Sequence, residues 1–185
     1  MSSSNPLIDP AGLQRIRRLA WLVRLLSLVG VAGVLLLPLL FWSQPDWVAS
    51  VARREWGLTT LQLDGGARLG GLAATALPAG CALAAIWQIW RLFGCYGRGE
   101  LLAPRPARHL HRLGLALVAL AFAMPVAHTL NVLALTLGNP PGQRMLTFGL
   151  SSMHYLSLLF GLMLLALAAV MQEAARVADE NAEFI

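Results

Sequence analysis

Residues 91–114 read RLFGCYGRGELLAPRPARHLHRLG, and this glycine- and proline-punctuated stretch separates two long apolar runs. Arg91, Arg98, Arg105, Arg108 and Arg112 stand in it against one carboxylate, Glu100. So polar a segment does not cross a bilayer. The runs on either side do: about 20 apolar residues at ~1.5 Å each span a hydrocarbon core of about 30 Å. The stretch is therefore the connector between two membrane helices, expected over residues 69–93 and 113–137.

Working outward adds one helix on each side. Towards the N-terminus, Arg15, Arg17, Arg18 and Arg24 precede an uncharged run, and a span is expected over residues 20–42. A secretory leader has an h-region of about 7–15 residues and a small-residue cleavage site. This run is longer, and Phe41-Trp42-Ser43-Gln44-Pro45 follows it, so the helix is read as uncleaved. Towards the C-terminus, Gly138-Asn139-Pro140-Pro141-Gly142 is a tight turn, and the fourth span is expected over residues 145–171. Residues 1–12 read as a disordered tail and residues 172–185 as a charged, helical cytoplasmic tail. The fold class that follows is all-α: one integral membrane domain over residues 1–185, an antiparallel four-helix bundle.

Only 12% of the 185 residues are charged, about half the share usual in a soluble domain. The net charge of +5 comes from arginine alone, since the chain has no lysine. These arginines flank apolar runs and do not stripe a soluble surface, so anionic lipid headgroups, not nucleic acid, are their expected counter-charge. Ten arginines fall on the side of the termini and connector and four on the other. The positive-inside rule then puts both termini and the connector in the cytoplasm. Trp42, Trp47 and Trp56 mark the opposite interface, and Trp87 and Trp90 the connector side.

Residues 43–68 are expected to form an ordered external segment. Trp47, Val51 and Leu58 recur there at helical spacing, as in a short helix lying in the interface. In the second span Ala76, Gly80 and Ala84 recur every fourth position, the spacing that lets helix backbones approach in lipid. Pro38, Pro78 and Pro125 each lie inside a span, towards its external half, and free the carbonyls of Val34, Ala74 and Ala121. Cys81 and Cys95, on one expected helix, are ~21 Å apart, out of disulfide reach.

Two short stretches carry a family resemblance. Residues 92–114, with Tyr96-Gly97-Arg98-Gly99-Glu100 and then Arg112-Leu113-Gly114, resemble the central loop of the bacterial "domain of unknown function 2975" family. Residues 171–185, MQEAARVADENAEFI, resemble its closing segment, where Glu-Asn follows the last membrane helix. The resemblance implies a four-helix inner-membrane protein without assigned activity, set in some members beside genes for small helix-turn-helix regulators. The family loop usually has an aromatic and a hydroxyl residue where Leu102 and Ala103 stand here. No catalytic residues are carried over.

Chemistry is sparse. No acidic residue lies in any span, which excludes Ser–His–acid catalysis there, and Gly94–Gly99 lacks the lysine of a phosphate loop. The informative pattern is in the second hairpin. If its helices pair about Pro141, His128 lies level with His154, Asn131 with Ser151 and Pro125 with Ser157, giving two facing polar stripes. In the plainest reading both imidazoles are neutral and hydrogen-bonded to neighbours, as structural glue. In another they line a periplasm-facing polar cleft that takes a ligand or senses protons. In the third, His128 and His154 ligate a haem or a metal ion; a Soret band lost on His128→Ala is its signature. A small transporter or channel subunit is a further alternative, although its usual signs, an intramembrane carboxylate or an internal repeat, are not seen in the sequence.

On the cytoplasmic side, Asp179, Glu180, Asn181 and Glu183 of the tail face the connector's Glu100, Arg105, Arg108 and Arg112 as a candidate docking surface. Arg176 pairs with Glu180 along the helix. The function expected is that of a non-enzymatic sensing or interaction component. Its partners are the bilayer, a cytoplasmic regulator protein and further copies of itself, with no direct contact to nucleic acid and no resident cofactor. Reporter fusions after Gly57 and Gly142 are expected to read out periplasmic, and fusions after Gly99 or Ile185 cytoplasmic. A cytoplasmic signal at Gly57 would reverse the charge argument.

Overall fold

The computed structural model describes residues 10–100 and 104–183, and every regular element among them is an α-helix. In chain order these are α1 (Pro10–Ser43), α2 (Pro45–Arg54), α3 (Gly65–Gly97), α4 (Pro104–Thr136) and α5 (Ser152–Glu183). Helices α1, α3, α4 and α5 are each long and apolar enough to cross a membrane. The 33 residues of α3 or α4 measure ~50 Å, so each overruns a ~30 Å hydrocarbon core by several turns. Prolines open α1, α2 and α4, where the missing N–H costs nothing. Asp64 caps α3 by accepting from the Ala67 N–H at 2.7 Å.

The first two expected spans lie inside α1 and α3, and the third, over residues 113–137, passes the end of α4 at Thr136 by one residue; two boundaries differ further. Helix α1 already begins at Pro10, so residues 10–12 are helical; residues 1–9 of the expected tail, and Leu102 and Ala103 of the connector, lie outside the described residues. The fourth helix begins at Ser152, not at 145, and residues 143–151 carry no helix. Thr147, Gly149, Ser151 and Ser152 are poor interior helix residues, and serines favour the entry to one. The tail runs helical to Glu183, continuous with α5.

The four long helices form an antiparallel bundle in which chain neighbours pack together: α1 on α3, α3 on α4, α4 on α5. Helices α1 and α5 stand on the flanks. Trp42 sets the first of these contacts. A Cβ on Gly71 of α3 would lie 2.0 Å from the Trp42 ring, so only glycine admits the indole. The indole N–H donates to Thr75 Oγ1 at 3.1 Å, and Thr75 donates to the Gly71 carbonyl at 2.8 Å. Arg68 then closes the end of α1, donating to the carbonyls of Trp42 (2.8 Å) and Ser43 (3.0 Å) that the helix leaves unpaired.

The expected stripe Ala76, Gly80, Ala84 is not this contact. All three are exposed, and Ala67, Gly71 and Ala74 are buried instead. An Ala/Gly-rich helix offers small residues on several faces, and the Trp42 indole selects among them. Helices α4 and α5 meet at a pair of glycines: a Cβ on Gly114 would lie 2.9 Å from the Gly161 carbonyl, and one on Gly161 3.0 Å from the Gly114 carbonyl. The helices run unbroken through Pro38, Pro78 and Pro125.

The end away from the connector is closed by a cap. Helix α2 is present as expected, but its buried face is Val48 and Ala52, one turn apart, while Trp47 stays 43% exposed. That face packs on protein. Val48, Ala52 and Leu58 cluster with Trp42 of α1, Ala67 of α3 and Val132 and Leu135 of α4. Gly161→Leu is expected to separate α4 from α5 and destabilise the protein by about 1–3 kcal/mol. Gly80→Leu, entering open space, should leave stability unchanged. Thermal unfolding in detergent reads both.

Candidate functional site

Polar side chains inside the cap end gather on α4 and on the segment that joins it to α5. Thr136 Oγ1 accepts from the Met145 N–H (3.2 Å), while its own hydrogen goes to the Val132 carbonyl one turn back (2.8 Å). Thr129 Oγ1 shares its hydrogen between the Pro125 carbonyl (3.0 Å) and the Thr147 carbonyl (3.1 Å). Seven residues apart, these threonines share a face of α4 and hold the irregular segment against it. Buried Asn139 donates to the carbonyls of Thr60 (3.1 Å) and Gln143 (3.3 Å), and the Gln62 N–H donates to the Leu135 carbonyl at 2.9 Å. Both loops of the cap are thereby tied to one point.

On this frame His128 lies half-buried with Trp56 edge-to-face at 5.6 Å on one side. Gly149 lies on the other, where an added Cβ would come within 3.1 Å of the imidazole. Asn131, three residues on and on the same face, is 8% exposed, and its Oδ1 is buried without a hydrogen-bond partner. His154 closes the first turn of α5: its Nδ1 accepts from the Ser151 N–H at 3.0 Å while its own N–H donates to the Ser151 carbonyl at 3.0 Å. Accepting at Nδ1 puts the proton of the neutral ring on Nε2.

Ser157 does not join this group. It donates to the Leu117 carbonyl at 3.0 Å, eight residues along α4 from the expected level of Pro125. Non-helical chain advances ~3.3 Å per residue against ~1.5 Å in a helix, so residues 143–151 carry α5 further down α4 than a tight hairpin about Pro141 allows. The chain against His128 is accordingly Gly149. Sequence reasoning missed Gly149, Thr129 and Thr136; the seven-residue spacing of the two threonines was the available signal. Among the described residues, no three or more His, Cys, Asp or Glu side chains stand together as a metal would need.

At the connector end Glu100 turns back on its own turn. Its carboxylate accepts from Arg98 Nε at 2.8 Å, and this bond and charge hold it below the usual carboxylate range. Arg98 also donates to Cys95 Sγ at 3.3 Å. Glu180 pairs with Arg176 on its own helix, as expected, and Arg176 also holds Glu173 at 3.1 Å. Arg105, Arg108 and Arg112 are exposed, and no ion pair joins them to another described residue. The side chains of Asp179, Asn181 and Glu183 lie outside the described residues. Cysteines replacing Leu117 and Ser157 are expected to crosslink under mild oxidation in membranes, and cysteines replacing Pro125 and Ser157 are not. The reverse pattern would restore the tight-hairpin register.

The sequence matches the family described as "Protein of unknown function (DUF2975)" over residues 14–185. No curated protein and no solved structure matches the chain. The matched region takes in the four membrane-crossing helices, the arginine-rich connector between α3 and α4 and the closing segment after Met171. This multi-pass membrane protein belongs to the DUF2975 family.

Proposed function

We propose that the chain is a non-enzymatic sensing component of the bacterial inner membrane, with its termini and connector in the cytoplasm and its cap in the periplasm. The cap end receives the signal, and the connector and tail present the result to a cytoplasmic regulator protein. One observation carries this reading: the start of α5 rests on an imidazole that must be unprotonated at Nδ1 to accept the Ser151 N–H. An imidazolium has donors at both nitrogens and no acceptor, so protonation removes that bond. His128 on α4 is the other titratable ring of this region, and Asn131 beside it holds an unpartnered oxygen into which a rearranged donor can turn.

Helix α5 is well suited to pass on such a change. It runs 32 residues without a proline and packs chiefly on α4, about the Gly114–Gly161 contact. A shift at Ser151 therefore moves a stiff rod about a narrow bearing. Spin labels at the exposed positions Leu69 on α3 and Val170 on α5 test this in nanodiscs. Pulsed-EPR distances are expected to shift or broaden between pH 7.5 and pH 5.5 in the otherwise native chain and to stay fixed in a His154→Leu background. A distribution that ignores pH in both removes the proton-sensing reading.

A further inference from the structure

At the connector end, three helices border an open cavity of about 460 Å³. Arg24 enters it from α1, Arg91 from α3, Arg98 from the turn that follows, and Arg105 and His109 from α4. Among the described residues, no carboxylate lines it. Arg98 already shares its charge with Glu100, while Arg24, Arg91 and Arg105 have no ion-pair partner among the described residues. Arg24 is the most telling of these. Its guanidinium stacks over Trp90 at 4.2 Å, and its Nε–H is buried without a hydrogen-bond partner. Arg91 lies over Trp87 at 5.8 Å, and Gln88 Oε1 holds His109 Nδ1 at 2.9 Å. The aromatic faces and the amide fix the cations in place around open space, with one donor left waiting.

The same two tryptophans form a wall of a second cavity, of about 680 Å³, between α1 and α3. Leu28 and Val31 line it from α1, and Leu83, Ala84 and Ile86 from α3. Seven residues separate Arg24 from Val31, so this apolar groove climbs ~10 Å into the bilayer from the arginines. A cationic chamber at headgroup level that opens into an apolar groove at acyl-chain level has the two-part chemistry of one ligand class. We infer that this corner binds an anionic glycerophospholipid, its phosphodiester taken by the Arg24, Arg91 and Arg105 guanidinium groups and one acyl chain laid between α1 and α3. Guanidinium forks suit phosphate oxygens in geometry and charge. A soluble phosphate satisfies the chamber but leaves the groove unexplained.

Native mass spectrometry of the delipidated full chain tests this with phosphatidylglycerol, phosphatidylcholine of the same acyl chains, and glycerol 1-phosphate as a headgroup without chains. Phosphatidylglycerol is expected to bind roughly tenfold more tightly than phosphatidylcholine, because both carry the phosphodiester but choline sets a quaternary ammonium charge beside the three guanidinium groups. Arg24→Gln should abolish that preference. Ala84→Trp, which fills the groove from an exposed position and spares the arginines, should weaken phosphatidylglycerol binding even if Arg24→Gln fails to fold. The double variant Arg17→Gln/Arg18→Gln, on the same face of the membrane but outside the cavity, should keep the preference. Equal binding of the two lipids overturns the site, as does phosphatidylglycerol binding that Ala84→Trp leaves as tight as before or a preference that is lost equally in the double variant. Glycerol 1-phosphate binding as tightly as the lipid would make it a soluble-anion site instead.

Discussion

Thr136 Oγ1 takes up the Met145 N–H and Thr129 Oγ1 reaches the Thr147 carbonyl, and the path of the last third of the chain follows from those bonds. Backbone that leaves a helix near a bilayer has little water to turn to, and each unpaired group there costs several kcal/mol. Residues 143–151 escape that cost by lying along α4, whose hydroxyls reach outward to them. The position at which α5 begins is thereby set. From it follow the bond between Ser157 and Leu117 and the approach of Gly161 to Gly114, because a helix once started at Ser152 has its register fixed along its whole length.

The two ends of the bundle are held by different physics. Within the hydrocarbon, apolar burial between helices gains little, because lipid tails are as apolar as leucine. Close glycine contacts and single hydrogen bonds set the geometry there. The cap end has a soluble-style core, in which Trp42, Val48, Leu58, Val132 and Leu135 are 0–3% exposed. Removing such side chains from water stabilises each by about 1.5–3 kcal/mol, an upper estimate since the unfolded chain buries part of that area too. Arg68 joins the two regimes, pairing the last carbonyls of α1 from within α3 at the foot of this core. The connector end keeps an arginine-lined chamber where the cap has packed side chains.

Hydropathy made the four crossings and the connector legible, since charge is excluded from a bilayer regardless of detail. What it could not show was pairing. Gly138–Gly142 reads as the apex of a hairpin, and nothing in those five residues says that nine more will run without helix before α5 starts. That one ambiguity moved Ser157 by two turns and put Gly149 against His128. Ala76, Gly80 and Ala84 have the right spacing for a helix contact, yet Ala67, Gly71 and Ala74 serve it, because an indole on another helix chose the face. Helix α2 was visible, but its buried face depends on Trp42, which is distant in sequence from neither end of the ambiguity and decides it only once α1 and α3 are packed. Such choices are made between elements, and local pattern does not record them.

The two proposed sites sit on different parts of the bundle, which bears on how they act together. The arginine chamber is built from α1, α3, the turn after it and α4, and among the described residues none of its lining comes from α5. A lipid held there ties those three helices to one another and to one leaflet. Helix α5 is left attached through the bond from Ser157 to the Leu117 carbonyl, the Gly114–Gly161 contact and the cluster of Leu92, Leu110 and Ala168 near the connector. A signal at the cap must move something relative to a fixed frame if it is to be read on the other side. On this reading α1, α3 and α4 with their lipid are the frame, and α5 is the part free to move.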